Sequence, residues 1–429
     1  MNHSNNQTSE KVAFNLFSEE NSKDPFAMFA QMRSKGAVVP IPNPMGGAGQ
    51  TWIVTRMDIA MEVLKDHSRF TVDMNSIDSG NDIRKNLSGE LGSSEPQTFF
   101  TGKSMLFVDE PDHRRLRSLV SKAFTPRYLV SKAFTPRYME SLRPRVQEIA
   151  DELIDQFEGK GEMDLVKDYA YPFPINVISE MLGIPLEDRP QIHVWSEAIA
   201  KGLGFGKQDP AVAQHLRSFA AYTSQLVANK RVEPSDDLIS QLIAIEEEGD
   251  RLNEDELISM ITLLIFAGHE TTSNLIATGS YLLLTHPKQL EQLKQDLNLV
   301  PSAVEELLRY NGPATSSGPR YATQDTELDG QSIQKGDVVI PLLKSANRDE
   351  QQFSDPEELD IERKIKRHLA FGHGIHMCLG APLARVEGDV AFTTLLRRLP
   401  DLQLSVPQEE IHWHSALSSQ GLAALPVKF

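Results

Sequence analysis

The longest ordered run of apolar residues lies between positions 253 and 286. Its N-terminal half is apolar, most strongly over 258–268, and about thirty residues is long for a helix of a globular protein. Asn253 stands at the N-cap position and Glu256 follows three residues later, the spacing of a capping box. A second helix is predicted after residue 380. Leu383, Val386, Val390 and Leu395 keep roughly helical spacing, Pro382 falls in the first turn, and the run stops before Pro400. Residues 38–41 and 51–55 read as short strands, with short helices at 25–35 and 59–64. The stretch 139–250 reads as mostly helical. Residues 71–100 are polar, rich in Ser, Asn and Gly, and lack a period, so they read as a long loop, either a lid or disordered. Residues 1–20 read as a flexible lead-in, and length alone would allow two or three domains after it.

Charge and composition narrow the function. The chain has 429 residues, with 43 Lys and Arg against 60 Asp and Glu, a net charge of −17. Such an acidic chain is a poor nucleic-acid binder. A single cysteine excludes an internal disulfide framework and fits a reducing compartment. The N-terminus lacks an apolar signal core, and residues 258–268 are too few to span a bilayer. A cytoplasmic protein without a membrane span is expected.

That cysteine, Cys378, sits in an unusual loop, Phe371-Gly-His-Gly-Ile-His-Met-Cys-Leu-Gly380. Gly372, Gly374 and Gly380 allow turns and close approach to a flat partner. The helix starting just after it offers free N–H groups and the positive end of a dipole, which favour a thiolate. A lone thiolate there suits a soft metal, haem iron among them. Two other readings of the loop stand beside this one. A single cysteine commonly behaves as a small buried hydrophobe. Zinc held by His368, His373, His376 and Cys378 is the other, although that spacing matches no common structural zinc pattern.

The string Phe371-x-x-Gly374-x-x-x-Cys378-x-Gly380 resembles the haem-ligand signature of the cytochrome P-450 family, and its extension from His368 to Arg385 is similar to that of the soluble bacterial members. Three further segments stand in family order. The hexapeptide Ala267-Gly-His-Glu-Thr-Thr272 resembles the oxygen-binding motif. It is not a zinc-protease pair, because Ser273 stands where a second His would be needed. Small Ala267 and Gly268 would leave room over a flat cofactor, and Thr271 can bond back to the carbonyl of Ala267. Glu306-Leu-Leu-Arg309 is by itself an ordinary helical ion pair; in this order it resembles the family's core pair, with Arg363 as third member of a structural triad. His113 and Arg117, four apart on one helix face, resemble the pair that binds haem propionates.

The resemblance covers the chain from about residue 25 onward. It implies a mainly α cytochrome P-450 fold, a single domain over 21–429 with a helical bundle around haem b and small β-sheets. Cys378 is then the axial iron ligand, and His113, Arg117, Arg320 and His376 anchor the propionates. Glu270 and Thr271 form the acid–alcohol pair that delivers protons to oxygen. Ile265, Ala267, Gly268, Thr315 and Leu417 are expected at the substrate pocket. The implied activity is a monooxygenase that inserts one atom of O2 into a C–H bond of a hydrophobic molecule such as a fatty acid, terpenoid, steroid or macrolide-like compound. A peroxide-driven peroxygenase and a non-catalytic haem sensor are the alternatives, and the Glu270–Thr271 pair weighs against both. No flavin or iron–sulfur motif is present, so electrons are expected from a ferredoxin or flavodoxin with its reductase. Basic residues at Arg114, Arg115, Arg117 and Lys122, and at Lys364, Lys366 and Arg367, are expected to steer it to a monomeric enzyme.

One segment departs from the family. Residues 119–128 are repeated without change as 129–138. Ten added residues would advance a helix by ~15 Å and turn the downstream chain by roughly −80°. Pro126 argues against one helix through both copies. One copy is therefore expected to keep the helix end and the other to bulge out.

Overall fold

Helices build most of the protein, and their order brings the two richest motifs together. The computed structural model describes residues 14, 23–42, 49–77, 98–100, 102–123, 136–202, 210–245, 251–415 and 418–429. The helices that position the site are α1 (Phe26–Lys35), α2 (Met57–Lys65), α3 (Asp112–Ala123), α4 (Arg143–Asp155), α5 (Pro172–Leu182), α6 (Arg189–Gly202), α7 (Pro210–Val232), α8 (Glu254–Thr285), α9 (Val300–Asn311) and α10 (Ala381–Arg398). Helix α8 runs through the middle of the bundle and packs on α5, α7, α9 and α10. It opens with the predicted capping box, Asn253 Oδ1 accepting from the Glu256 N–H at 2.9 Å and the Glu256 carboxylate accepting from the Asn253 N–H. Being apolar on most faces, α8 is buried along most of its length.

The short strands form a five-stranded sheet beside the bundle. Strands β1 (Val38–Ile41), β2 (Thr51–Val54), β3 (Phe70–Thr71), β4 (Arg320–Ala322) and β5 (Val338–Pro341) lie in the order β1-β2-β5-β4-β3. Only β2 and β5 pair in parallel; the other pairs are antiparallel. Arg320 stands on β4, where its charge acts on His376 of the Cys378 loop. Among the described residues no helix is long and apolar enough to cross a membrane.

The expected triad forms. Glu306 and Arg309 are fully buried on α9 and pair through two hydrogen bonds of 2.6 and 2.7 Å. Arg363 Nε donates to the same carboxylate at 3.2 Å, and the Asp360 N–H at 3.0 Å. The Arg309 guanidinium also donates to the carbonyls of Asn347, Pro356 and Glu358. Every donor has an acceptor, which is what makes a buried ion pair tolerable. Together these bonds fasten the segment leading into the Cys378 loop onto α9. Glu305 then ties α9 to α10, accepting from Arg385 at 2.6 Å, with His368 Nε2 at 3.1 Å.

Helix α3 is described as far as Ala123, and a further helix is described over Pro136–Ser141, from within the second repeat copy onward. The expected bulge falls on 124–135, outside the described residues.

Candidate haem-thiolate site

Cys378 is positioned by its own loop. Its N–H donates to the Phe371 carbonyl at 2.9 Å, and the Gly372 N–H to that of Leu369 at 2.9 Å. Gly372 and Gly374 both have left-handed backbones, with φ of +71° and +75°. At Gly374 the packing is as demanding as the dihedral, because a Cβ there would sit 2.2 Å from the Leu64 carbonyl oxygen at the end of α2. At Gly372 a Cβ meets nothing within 4 Å. Gly374→Ala should therefore lose more than the ~1–3 kcal/mol of backbone strain alone. Gly372→Ala should lose only the strain, and thermal unfolding with haem content checks the contrast.

The thiol is exposed, yet enough protein surrounds it for burial to push its pKa up. The Gly380 and Ala381 N–H groups at the start of α10, and the charges of Arg117 and Arg385, oppose that rise without cancelling it. Burial thus works against the thiolate while the helix start and the two guanidiniums favour it, and a bound cation would add to their side. Helix α8 shows a matching feature. Between residues 256 and 283 its only exposed residues are Ala267 and Thr271, four apart on one face. Thr271 Oγ1 donates to the Ala267 carbonyl at 3.1 Å, the back-bond expected from the sequence. Small and polar groups left accessible in the middle of a buried helix are surface for a ligand. Gly268 differs from the expectation of room over a cofactor. A Cβ there would lie 2.9 Å from Ile178 Cγ1, so its small size serves the packing of α8 on α5. Ile265 is fully buried, Thr315 is buried with its N–H on the Ser418 carbonyl, and Leu417 lies outside the described residues.

The cationic residues converge from three elements. The rings of His113 on α3 and His376 in the Cys378 loop lie 4.4 Å apart. Arg117, one turn after His113, is near enough for its charge to act on the Cys378 thiol, and Arg320 on β4 acts on His376. Burial, then His376 and Arg117, push His113 down to about 4, so it is neutral near pH 7. Burial lowers Arg320 to about 10, opposed by the charge of Asp109. Arg320 is 5% exposed, and among the described residues it ion-pairs with no carboxylate, its one hydrogen bond being 3.5 Å to the Pro319 carbonyl. Arg117 likewise has no carboxylate partner among the described residues. Two such guanidiniums next to an exposed thiol suit a flat ligand with two carboxylates and a metal centre, and haem b has that form.

Sequence reasoning missed Asp109. It accepts from His376 Nε2 at 3.0 Å, from Thr71 Oγ1 at 2.5 Å and from the Val72 N–H at 3.0 Å. Burial works to raise its pKa, but the hydrogen bonds from His376 and Thr71 outweigh it and the net shift is down. Its only sequence signal is an acid four residues before His113, which reads equally well as the opening of a charged helix. The aromatic cluster of Phe99, Phe100, Phe107 and Phe266 was also missed. Its ring pairs lie 5.0–6.3 Å apart, and it joins the described end of the long loop to α8.

A buried helical bundle, a glycine-built cysteine loop and uncompensated cations beside it define a haem-thiolate protein. Comparison with known proteins agrees. The sequence profile described as Cytochrome P450 matches residues 205–420. "Polyketide biosynthesis cytochrome P450 PksS" of Bacillus subtilis is 40% identical over 97% of this chain and 99% of its own. "Cytochrome P450 monooxygenase PikC" of Streptomyces venezuelae is 41% identical over 95% of this chain and 91% of its own. The crystal structure of myxobacterial cytochrome P450 CYP267B1 in complex with myristic acid has a TM-score of 0.84 and 40% identity, covering 96% of this chain and 98% of that one. The chain belongs to the cytochrome P450 family. It is a monooxygenase whose cofactor is haem b.

Proposed function

We propose that this enzyme hydroxylates a medium-sized or large hydrophobic molecule, a polyketide-like or long acyl compound, at an unactivated C–H bond. The observation that carries this is the Glu270–Thr271 pair in the middle of α8, with Thr271 exposed and Glu270 largely buried beside it. Apolar Phe100, Phe107 and Phe266 offer a wall for such a substrate. Two relatives support the class by name, one from polyketide biosynthesis and one holding myristic acid. Bound haem supplies the activation of O2. Cys378 would ligate its iron through sulfur, and His113, Arg117, Arg320 and His376 would hold its carboxylates. Glu270 gives protons, and the Thr271 hydroxyl, held by the Ala267 carbonyl, passes them on. Incubation with reductant, O2 and a panel of macrolactones and fatty acids tests the class. Hydroxylated product from either supports it; turnover confined to small polar compounds contradicts it.

The electron donor is proposed to be an acidic ferredoxin or flavodoxin, and the enzyme a cytoplasmic monomer. The expected basic surface is divided in the structure. Arg115 pairs with Glu256, Arg114 pairs with Glu110, and Arg117 turns toward Cys378. Lys364, Lys366 and Arg367 remain exposed just ahead of the Cys378 loop and are the better docking surface. Raising the salt concentration should slow reduction by the partner, because surface charges are screened within about 8 Å at physiological ionic strength. Reversing all three charges to Glu should remove most of that dependence. Stopped-flow reduction across a salt series checks both, and a salt-independent parent rate would count against the docking surface.

A further inference from the structure

A second group of polar side chains, none of them among the residues assigned to haem, gathers where α6 and the start of α5 meet α8. Tyr171, at the entrance to α5, meets the ring of His269 edge to face at 5.5 Å. The ring of His193, on α6, lies 3.6 Å from that of Tyr171. His269 is fully buried on α8 next to Glu270, with Nδ1 2.6 Å from the Ile265 carbonyl. A carbonyl can only accept, so Nδ1 carries the proton and Nε2 is left as an acceptor. Among the described residues, neither this buried Nε2 nor the buried Tyr171 hydroxyl has a hydrogen-bond partner. Orphaned polar atoms are costly in an apolar interior, and each asks for a reason. Glu197 stands one turn beyond His193 on α6 and is exposed. Its charge acts on both Tyr171 and Glu270. Glu197 is thus the charged group that acts on Glu270, Glu270 and Glu197 both act on Tyr171, and His193 acts on His269.

We propose that Glu197, His193 and Tyr171 form the line that returns protons from solvent to Glu270, with His269 Nε2 holding its inner end. This rests on the reading of Glu270 as the proton donor. When Glu270 gives its proton toward Thr271, the Tyr171 hydroxyl, which has no partner among the described residues, passes its own proton to the carboxylate through an ordered water. It takes another from the His193 side, directly or through ordered water. Glu197 recovers one from solvent. One proton enters at the surface for each one used inside, and no electron moves along the line. Burial pushes the Tyr171 phenol up, so it stays O–H at rest and must give and receive in one event. Burial and the Glu197 charge push Glu270 up to about 7, where it can both give a proton and regain it. His269 is a positioning residue, since its one free nitrogen can only accept.

The test uses the haem-loaded protein and the variants Tyr171→Phe, His193→Gln and Glu197→Gln. Infrared titration of the protonated carboxyl band in the resting protein gives the Glu270 midpoint, near 7 in the parent. Glu197→Gln should move it down by removing a like charge. Tyr171→Phe should lower O2-driven turnover by ~10-fold, with a larger solvent deuterium isotope effect. It should leave peroxide-driven product formation, substrate affinity and the carbon monoxide spectrum at parent values. His193→Gln should show the same pattern. A Tyr171→Phe protein with the parent's turnover and isotope effect overturns the line. So does a carboxyl midpoint indifferent to Glu197→Gln, a surface change that keeps the fold. If the parent itself shows no O2-driven turnover, the reading of Glu270 as donor has failed, and the line falls with it. That outcome is recognised in the parent before any variant is made.

Discussion

Glu306→Leu should leave little folded protein at ordinary temperatures. Removing this carboxylate strands Arg309, 0% exposed, in the core with only backbone carbonyls as acceptors, and releases Arg363 and the Asp360 N–H. Breaking one side of a buried pair costs about 3–5 kcal/mol, a large part of a typical total of roughly 5–15 kcal/mol. The freed segment leads into the Cys378 loop, so haem retention should fall with stability. Denaturant unfolding and haem content measure both effects. Arg363→Leu should lose much less, because Arg363 is partly exposed and the Glu306–Arg309 pair survives it.

Glu270→Gln should cost ~100-fold or more in O2-driven turnover, the usual worth of a positioned acid. Haem content and substrate binding should stay unchanged. The sign of its pH dependence is set by its surroundings. Burial and Glu197 raise the folded pKa to about 7, so the donating acid form is lost as pH rises through neutrality. Parent turnover should therefore fall above pH 7, and that alkaline limb should vanish in Glu270→Gln. Thr271→Ala should retain the limb but send reductant to peroxide instead of product. Rate and product measured from about pH 5.5 to 9 separate the two roles.

Much of this was legible in sequence because it is local. The α8 cap needs only Asn253 and Glu256, and the start of α10 only Pro382 and the spacing of its apolar residues. The Thr271 back-bond is an i, i−4 relation and could be read the same way. The role of Gly268 could not, since it depends on Ile178 from another helix. Asp109 acquires meaning only when His376, hundreds of residues away, folds onto it. The full surroundings of the thiol could not be read for a related reason. Helix-start N–H groups are visible in a sequence, whereas desolvation by the assembled fold is not. Likewise the basic run around Arg115 reads as free charge until Glu256 is seen beside it.

The central claim, that Cys378 binds haem iron as a thiolate, is tested most directly by the absorption spectrum of the reduced protein with carbon monoxide, recorded for the parent and for Cys378→Ser. A strongly red-shifted Soret band in the parent, lost in the variant, is the predicted result. An unshifted band in the parent, or a red-shifted band that survives loss of the sulfur, would contradict it.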